Sequence, residues 1–149
     1  MRIAGFQMDV AFGYIERNLA RMGSLLQTAV AGGARLVVFP ECSATGYCFH
    51  SYEEARACAE PVPGPITERM TAACRELQAY SVFGMIELDG DRLFNVAVLT
   101  GPQGVVGFYR KVHLPYLGLD MFTTPGDRPF AVQEMEGVRV GMNICYDSS

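Results

Sequence analysis

Hydrophobic residues along the 149-residue chain repeat with two different periods, and the alternation between them points to an α/β fold class. Ile3–Met8 is a short strand candidate. From Asn18 to Val30, the residues Leu19, Met22, Leu25, Leu26, Ala29 and Val30 share one face of a helix, which Gly32-Gly33 can end. Arg35–Phe39 is a compact apolar run of the kind found in strands buried on both faces. A polar, glycine-containing loop follows from Pro40 to Phe49, and Ser51 with Glu54 has the capping-box spacing of a short helix. Pro61–Pro65 is a breaker cluster that feeds a further helix over Ile66–Ala79, with Ile66, Met70, Ala73, Cys74 and Leu77 to one side.

After that helix the β period dominates. Val82–Leu88, Leu93–Leu99 and Val105–Tyr109 are separated by turn residues at Asp89–Asp91 and Gly101–Gly104, which predicts antiparallel hairpins. A loop over Leu114–Arg128 leads to Phe130–Met135, a tight turn at Glu136-Gly137, and a buried-looking strand over Val138–Ile144. There is no internal repeat and no low-complexity segment. A core strand running directly into Cys145-Tyr146-Asp147-Ser148-Ser149 has nothing to cover it. The expectation is therefore one domain over residues 1–149, incomplete at its C-terminal end.

Composition narrows the function classes. Twelve basic and 16 acidic side chains give a net charge of −4, and no Lys/Arg cluster breaks the acidic balance. Such a surface is a poor match for a phosphate backbone, which argues against nucleic acid as a partner. Half of the residues are apolar, too many for a disordered chain, yet no run approaches the ~20 residues of a membrane span. Asp9 interrupts the first apolar stretch before a signal-peptide core can form. A soluble cytoplasmic protein with no membrane partner is expected. The five cysteines, Cys42, Cys48, Cys58, Cys74 and Cys145, form no CxxC pairs and do not suggest a disulfide framework. With only two histidines, zinc is also not expected. Cys58 and Cys74 lie in helical stretches and, like Cys42 and Cys48, are read as packing residues.

Three reactive side chains sit just beyond predicted strands: Glu41, Lys111 and Cys145. Strand ends in α/β sheets are where ligand crevices form. A thiol so placed needs a base to become a nucleophile, which Glu41 can supply, and an oxyanion donor, which Lys111 can be. Two other readings compete. Lys111 can be half of a surface Arg110–Lys111 pair, and His113, two residues on, can project to the same side and serve as a base for Cys145.

Phe39-Pro40-Glu41 with Gly46-Tyr47, then Tyr109-Arg110-Lys111-Val112-His113-Leu114, then Gly141-Met142-Asn143-Ile144-Cys145-Tyr146-Asp147 resemble, in order, the motifs of the nitrilase superfamily of carbon–nitrogen hydrolases. The resemblance spans essentially the whole chain. It implies a Glu–Lys–Cys triad on Glu41, Lys111 and Cys145, with the backbone N–H of Tyr146 as a second oxyanion donor. It implies an αββα sandwich assembled as dimers or larger homo-oligomers. The substrate would be a small amide, carbamoyl compound or nitrile, hydrolysed by water through a thioester, with no metal or organic cofactor. His113 would then order its loop by hydrogen bonding. Family members commonly carry a further pocket glutamate, for which Asp120, one methylene shorter, is the candidate here. Tyr47 and Tyr116 either face the pocket or pack. Family domains are about twice this length, and this chain resembles the first half of the sandwich. The alternative is therefore a non-catalytic half-domain or interaction fragment that keeps the triad positions.

Overall fold

The computed structural model describes residues 1–148, so the expectation about the chain's end at Ser149 lies outside the described residues. The first long helix, α1 (Ile15–Ala31), turns Asn18, Leu19, Met22, Leu26 and Ala29 inward, the three-and-four spacing of a single buried face. It begins three residues earlier than the apolar pattern predicts. The reason is Asn18, whose side chain bonds both the N–H and the C=O of Ala11 and so holds the chain leading into the helix. Gly32 closes α1 and Gly33 follows at φ +88°, a conformation open to glycine. In α2 (Tyr52–Ala57), Ser51 Oγ accepts from the Glu54 N–H at 3.1 Å. Glu54 reaches back one residue further than a capping box requires, to the N–H of His50. In α3 (Pro65–Leu77), proline occupies the first position, where its missing N–H costs nothing.

Five strands form one mixed sheet in the order β1 (Ile3–Gly5), β2 (Leu36–Val38), β3 (Tyr80–Asp89), β4 (Arg92–Gly101) and β5 (Gly104–Arg110). The first three run parallel, and β3, β4 and β5 form an antiparallel meander. Side chains alternate cleanly between the two faces. Val37, Phe83, Met85, Phe94, Val96 and Val98 pack beneath α1 and α3. The opposite face carries Leu36, Tyr80, Leu93, Ala97 and Leu99.

The last two strands depart from expectation. Residues beyond Phe130 do not extend the main sheet; β6 (Val132–Met135) and β7 (Val138–Gly141) form a separate two-stranded ribbon. The ribbon lies against the face away from α1 and α3, where Met135 packs with Leu36, Tyr80 and Leu99. Arg35 pairs with Glu136 in its turn. The run Val138–Ile144 is thus not a buried strand: pairing stops at Gly141, opposite Val132, and β7 alternates between half-buried and exposed. Pro129, with no N–H to donate, stands where the partner strand would have to continue. Past Gly141 the chain turns Met142 and Ile144 onto Ala97 and Tyr109 of the main sheet. The strand expected over Ile3–Met8 is also shorter, because its neighbour β2 has only three residues before Pro40 intervenes.

Candidate active site

Glu41 lies three residues past the end of β2, in a tight loop held to β3. Phe39 continues the ladder for one bond, to Val82 O. Cys42 then takes φ +52°, and its carbonyl receives the N–H groups of Thr45 and Gly46. The loop comes so close to the sheet that a Cβ on Gly84 would stand 2.2 Å from Cys42 N and 2.9 Å from Glu41 C. Ala44 N donates to Gly84 O, and Gly84 N donates to Ser43 Oγ. Glycine within an apolar strand here serves close backbone approach.

Lys111 follows β5 and adds one rung to the ladder, its N–H donating to Asn95 O at 2.9 Å. Since β5 runs in the same direction as β2, Lys111 leaves the sheet at the same end as Glu41. Its Nζ donates to Glu41 Oε1 at 2.7 Å and to Asp120 Oδ2 at 2.6 Å. The side chains of Lys111 and Asp120 are wholly buried, whereas Glu41 is partly open. Tyr47 OH donates to Asp120 Oδ2 at 2.9 Å, and Asn95 Nδ2 reaches both Glu41 Oε1 (2.7 Å) and Asp120 Oδ1 (2.9 Å). Burial pushes the Lys111 pKa down, but the bonds from Asp120 and Glu41 outweigh it, so the value lies above that of an ordinary lysine. Lys111 is a fixed cation.

Cys145 arrives by a different route, at the head of a 3-10 turn over Cys145–Ser148 with φ +47°. Its thiol is exposed. Asp147 anchors this turn. Oδ2 accepts from Ile144 N at 3.1 Å, while Oδ1 accepts from His113 N at 2.8 Å and Val112 N at 3.2 Å and lies 3.0 Å from His113 Nδ1. A single buried carboxylate thereby ties the cysteine turn to the segment just after Lys111. Burial raises the Asp147 pKa, but the N–H groups of His113 and Ile144 more than offset this and hold it below the usual aspartate value. Glu41 and Cys145 line one cleft of about 120 Å³, whose walls include Val82, Ala97, Asn143 and Ile144.

Of the residues singled out from sequence, Glu41, Lys111, Asp120 and Tyr47 meet in one hydrogen-bonded cluster, and Cys145 shares the cleft with Glu41. Tyr146 is half exposed, and its N–H stands in the first turn of the Cys145–Ser148 segment. Tyr116 does not join the cluster: it is 76% exposed on the connecting loop. Nor do Arg110 and Lys111 form a surface pair. Arg110 is buried between Glu87 and Asp127, with its guanidinium 3.8 Å over the Phe94 ring. Lys111 and His113 do not project together either. The ladder ends at Lys111, and the His113 side chain is 59% exposed with its Nδ1 turned to Asp147. Cys42 and Cys74 are buried as expected and Cys58 is half-buried, but Cys48 is exposed. The Cys42 thiol is pushed well above its usual pKa by burial and by the nearby Glu41 and Asp120 charges, which keeps it protonated.

Asn95 and Asp147 were not anticipated. The signal for Asn95 was present: a polar residue inside the apolar run Leu93–Leu99 must find partners or not be there.

A carboxylate bonded to a buried ammonium beside an exposed thiol, on one α/β layer, defines a class of protein that the comparisons make specific. Residues 2–149 match the family model of the carbon-nitrogen hydrolases, and the chain belongs to that family. It is 38% identical over 148 residues to a nitrilase from Pyrococcus abyssi (strain GE5 / Orsay), covering 99% of this chain and 56% of that protein. It is 36% identical over 148 residues to an (R)-stereoselective amidase from Pseudomonas sp, covering 99% of this chain and 50% of that protein. With the omega-amidase NIT2 of Homo sapiens it shares 32% over 156 residues, 98% of this chain and 55% of that one. Among solved structures, the CN-hydrolase superfamily protein XC1258 from Xanthomonas campestris superposes with a TM-score of 0.80 at 26% identity, over 95% of this chain and 51% of that one. An amidase from Nesterenkonia sp. AN1 shares the fold, with a TM-score of 0.81 at 23% identity, over 99% of this chain and 56% of that one. The chain spans about half the length of the curated relatives it matches. No described helix is long and apolar enough to cross a membrane.

Proposed function

We propose that this chain supplies the reacting groups of a cysteine-dependent hydrolase of non-peptide carbon–nitrogen bonds, with a small amide, carbamoyl compound or nitrile as substrate. The observation that carries the reading is the single cleft shared by Cys145 and a Glu41 whose carboxylate is fixed by a buried ammonium. With an amide or carbamoyl substrate, Glu41 takes the thiol proton as Sγ attacks the carbonyl carbon. With a nitrile, Sγ adds to the nitrile carbon, the proton goes to its nitrogen, and a first water adds to the thioimidate before the C–N bond breaks. The oxyanion that forms is met by the Lys111 ammonium, which has a third N–H beyond the two spent on Glu41 and Asp120, and by the Tyr146 N–H. Collapse breaks the C–N bond, and Glu41 returns the proton to the leaving amine or ammonia. Glu41 then deprotonates water, which cleaves the thioester and releases the acid and the thiol. Asp120, held by Tyr47, balances the Lys111 charge. All groups come from protein and solvent.

A cytoplasmic setting belongs to the same proposal, supported by five free thiols. So does assembly into homo-oligomers, supported by the exposed apolar side chains of Ile3, Leu117, Phe130 and Val132. A second reading is that these residues keep the cluster without turnover; the chain spans about half the length of the relatives it matches.

The test is hydrolysis of small amides and nitriles by Glu41→Gln and His113→Ala, with thermal unfolding as the control for folding. Loss of a positioned general base costs about 10²–10⁴-fold in rate, so Glu41→Gln should be nearly inactive and His113→Ala active. Near-normal turnover by Glu41→Gln would sink the assignment. Selective iodoacetamide labelling of Cys145 with no hydrolysis by the wild-type chain would favour the second reading.

A further inference from the structure

We propose that Asn95 is a positioning residue for this reaction: its side-chain amide presents the Glu41 carboxylate to Cys145 by tying one of its oxygens down. The inference rests on the hydrolase reading of the same site and adds to it a residue that neither the motifs nor the comparisons assign.

Asn95 sits in β4, opposite Ile86, on the sheet face turned away from α1 and α3. It is 1% exposed. Both N–H bonds of its amide go to carboxylates, to Glu41 Oε1 at 2.7 Å and to Asp120 Oδ1 at 2.9 Å. Its Oδ1 faces the Cys42 thiol at 3.6 Å. The two carboxylates can only accept, which fixes the amide with its nitrogen toward them and leaves Oδ1 to accept from the Cys42 thiol. The backbone of the same residue holds Lys111, whose N–H donates to Asn95 O.

Glu41 Oε1, Lys111 Nζ, the two oxygens of Asp120 and Asn95 Nδ2 therefore close a ring of four hydrogen bonds. Two carboxylates share one ammonium in this ring, and Asn95 supplies the neutral donor that lets both remain acceptors. The charged and titratable groups facing Asn95 are Glu41, Asp120, Lys111, Cys42 and, through Asp120, Tyr47. Both donors that reach Glu41 fall on Oε1. Oε2 has no protein donor among the described residues, and Glu41 borders the cleft that contains Cys145. One oxygen is anchored and the other is left to accept the thiol proton. A neutral amide does this without contributing a charge of its own.

Asn95→Leu removes both donors at similar volume, and Asn95→Asp keeps the shape while replacing the donor with a third anion. For each, kcat and KM toward a small amide and the pH dependence of Cys145 alkylation by iodoacetamide are measured, with thermal unfolding as the folding control. Loss of orientation of this kind lowers rate by about 10- to 100-fold, so kcat should fall by that factor while KM stays near wild type. The acid-side midpoint of Cys145 alkylation should rise by about half a pH unit or more in Asn95→Leu and further in Asn95→Asp, because each change disfavours the ionised pair. A purely structural Asn95 would lower the folded fraction and leave that midpoint where it was. If Glu41→Gln abolishes hydrolysis while Asn95→Leu keeps wild-type kcat and midpoint, the Asn95 inference is overturned and the hydrolase reading stands. If Glu41→Gln hydrolyses normally, the hydrolase reading fails and takes this inference with it.

Discussion

Lys111 and Arg110 are neighbours in sequence and both buried, yet each is held by a different set of anions. Lys111 rests on Glu41 and Asp120; Arg110 makes a two-pronged contact with Glu87 at 2.7 Å on each arm and reaches Asp89 and Asp127. Adjacent residues of a strand face opposite sides, so one serves the cluster and the other braces the loop behind it. The Asp147 carboxylate is buried as well, and its effect on stability has a definite sign. Its folded pKa lies below the unfolded value of ~3.9 because N–H donors favour the ionised form. The stability it contributes is present above that unfolded value and is lost as pH falls through the lower folded one. Asp147→Asn should therefore cost about 1.5–3 kcal/mol near neutral pH, the worth of hydrogen bonds to a charged group. The gap from wild type should close in strong acid. Urea unfolding of both proteins at neutral and acid pH measures this; a gap that widens in acid would contradict it.

Among the elements, β3 does most to place the site, and it does so through the residue with no side chain. Gly84 lets the Glu41 loop lie directly on the sheet, with Cys42 N where a Cβ would be. In Gly84→Ala the loop must lift, because the atoms in the way are backbone and cannot rotate aside. Overpacking of this kind costs about 1–3 kcal/mol, and a displacement of about 1 Å at a reacting group can cost 10²-fold in rate. Turnover by Gly84→Ala should thus fall by far more than its folded fraction does, in paired activity and unfolding measurements. Equal losses in both would show that the loop does not depend on this contact. The β6–β7 ribbon acts at the same scale: by folding onto the sheet instead of extending it, it carries Cys145 across the face to Glu41.

For the whole molecule, the decisive fact is that the two faces of the sheet are treated differently. The helix face is closed by α1 and α3. The other face carries the site; α2, Leu119, the ribbon and the Glu41 loop cover it only in part, with Val38 exposed on it. Elsewhere Ile3, Leu117, Phe130 and Val132 are each more than half exposed. Exposed apolar surface on this scale drives association. The 149-residue chain on its own should therefore self-associate, and sedimentation velocity across a wide concentration range should show dimers or larger species. A monomer at every concentration would contradict this.

The α/β alternation, both long helices, the hairpin meander and the positions of Glu41, Lys111 and Cys145 were legible in the sequence, because period, turn residues and local motifs are carried by neighbours along the chain. Asp120 could be named only through the family resemblance, as the candidate for the further pocket glutamate. Pairing was not legible. That Asn95 spans two carboxylates 54 residues and 25 residues away, that Asp147 ties residues 112–113 to 144, and that the final ribbon leaves the sheet all depend on contacts between distant segments. The same holds for the burial of Arg110, which looks like a surface charge until Glu87 and Asp127 are brought beside it. A one-dimensional pattern records which faces are apolar, but the partner of a buried polar group is chosen only when the chain closes around it.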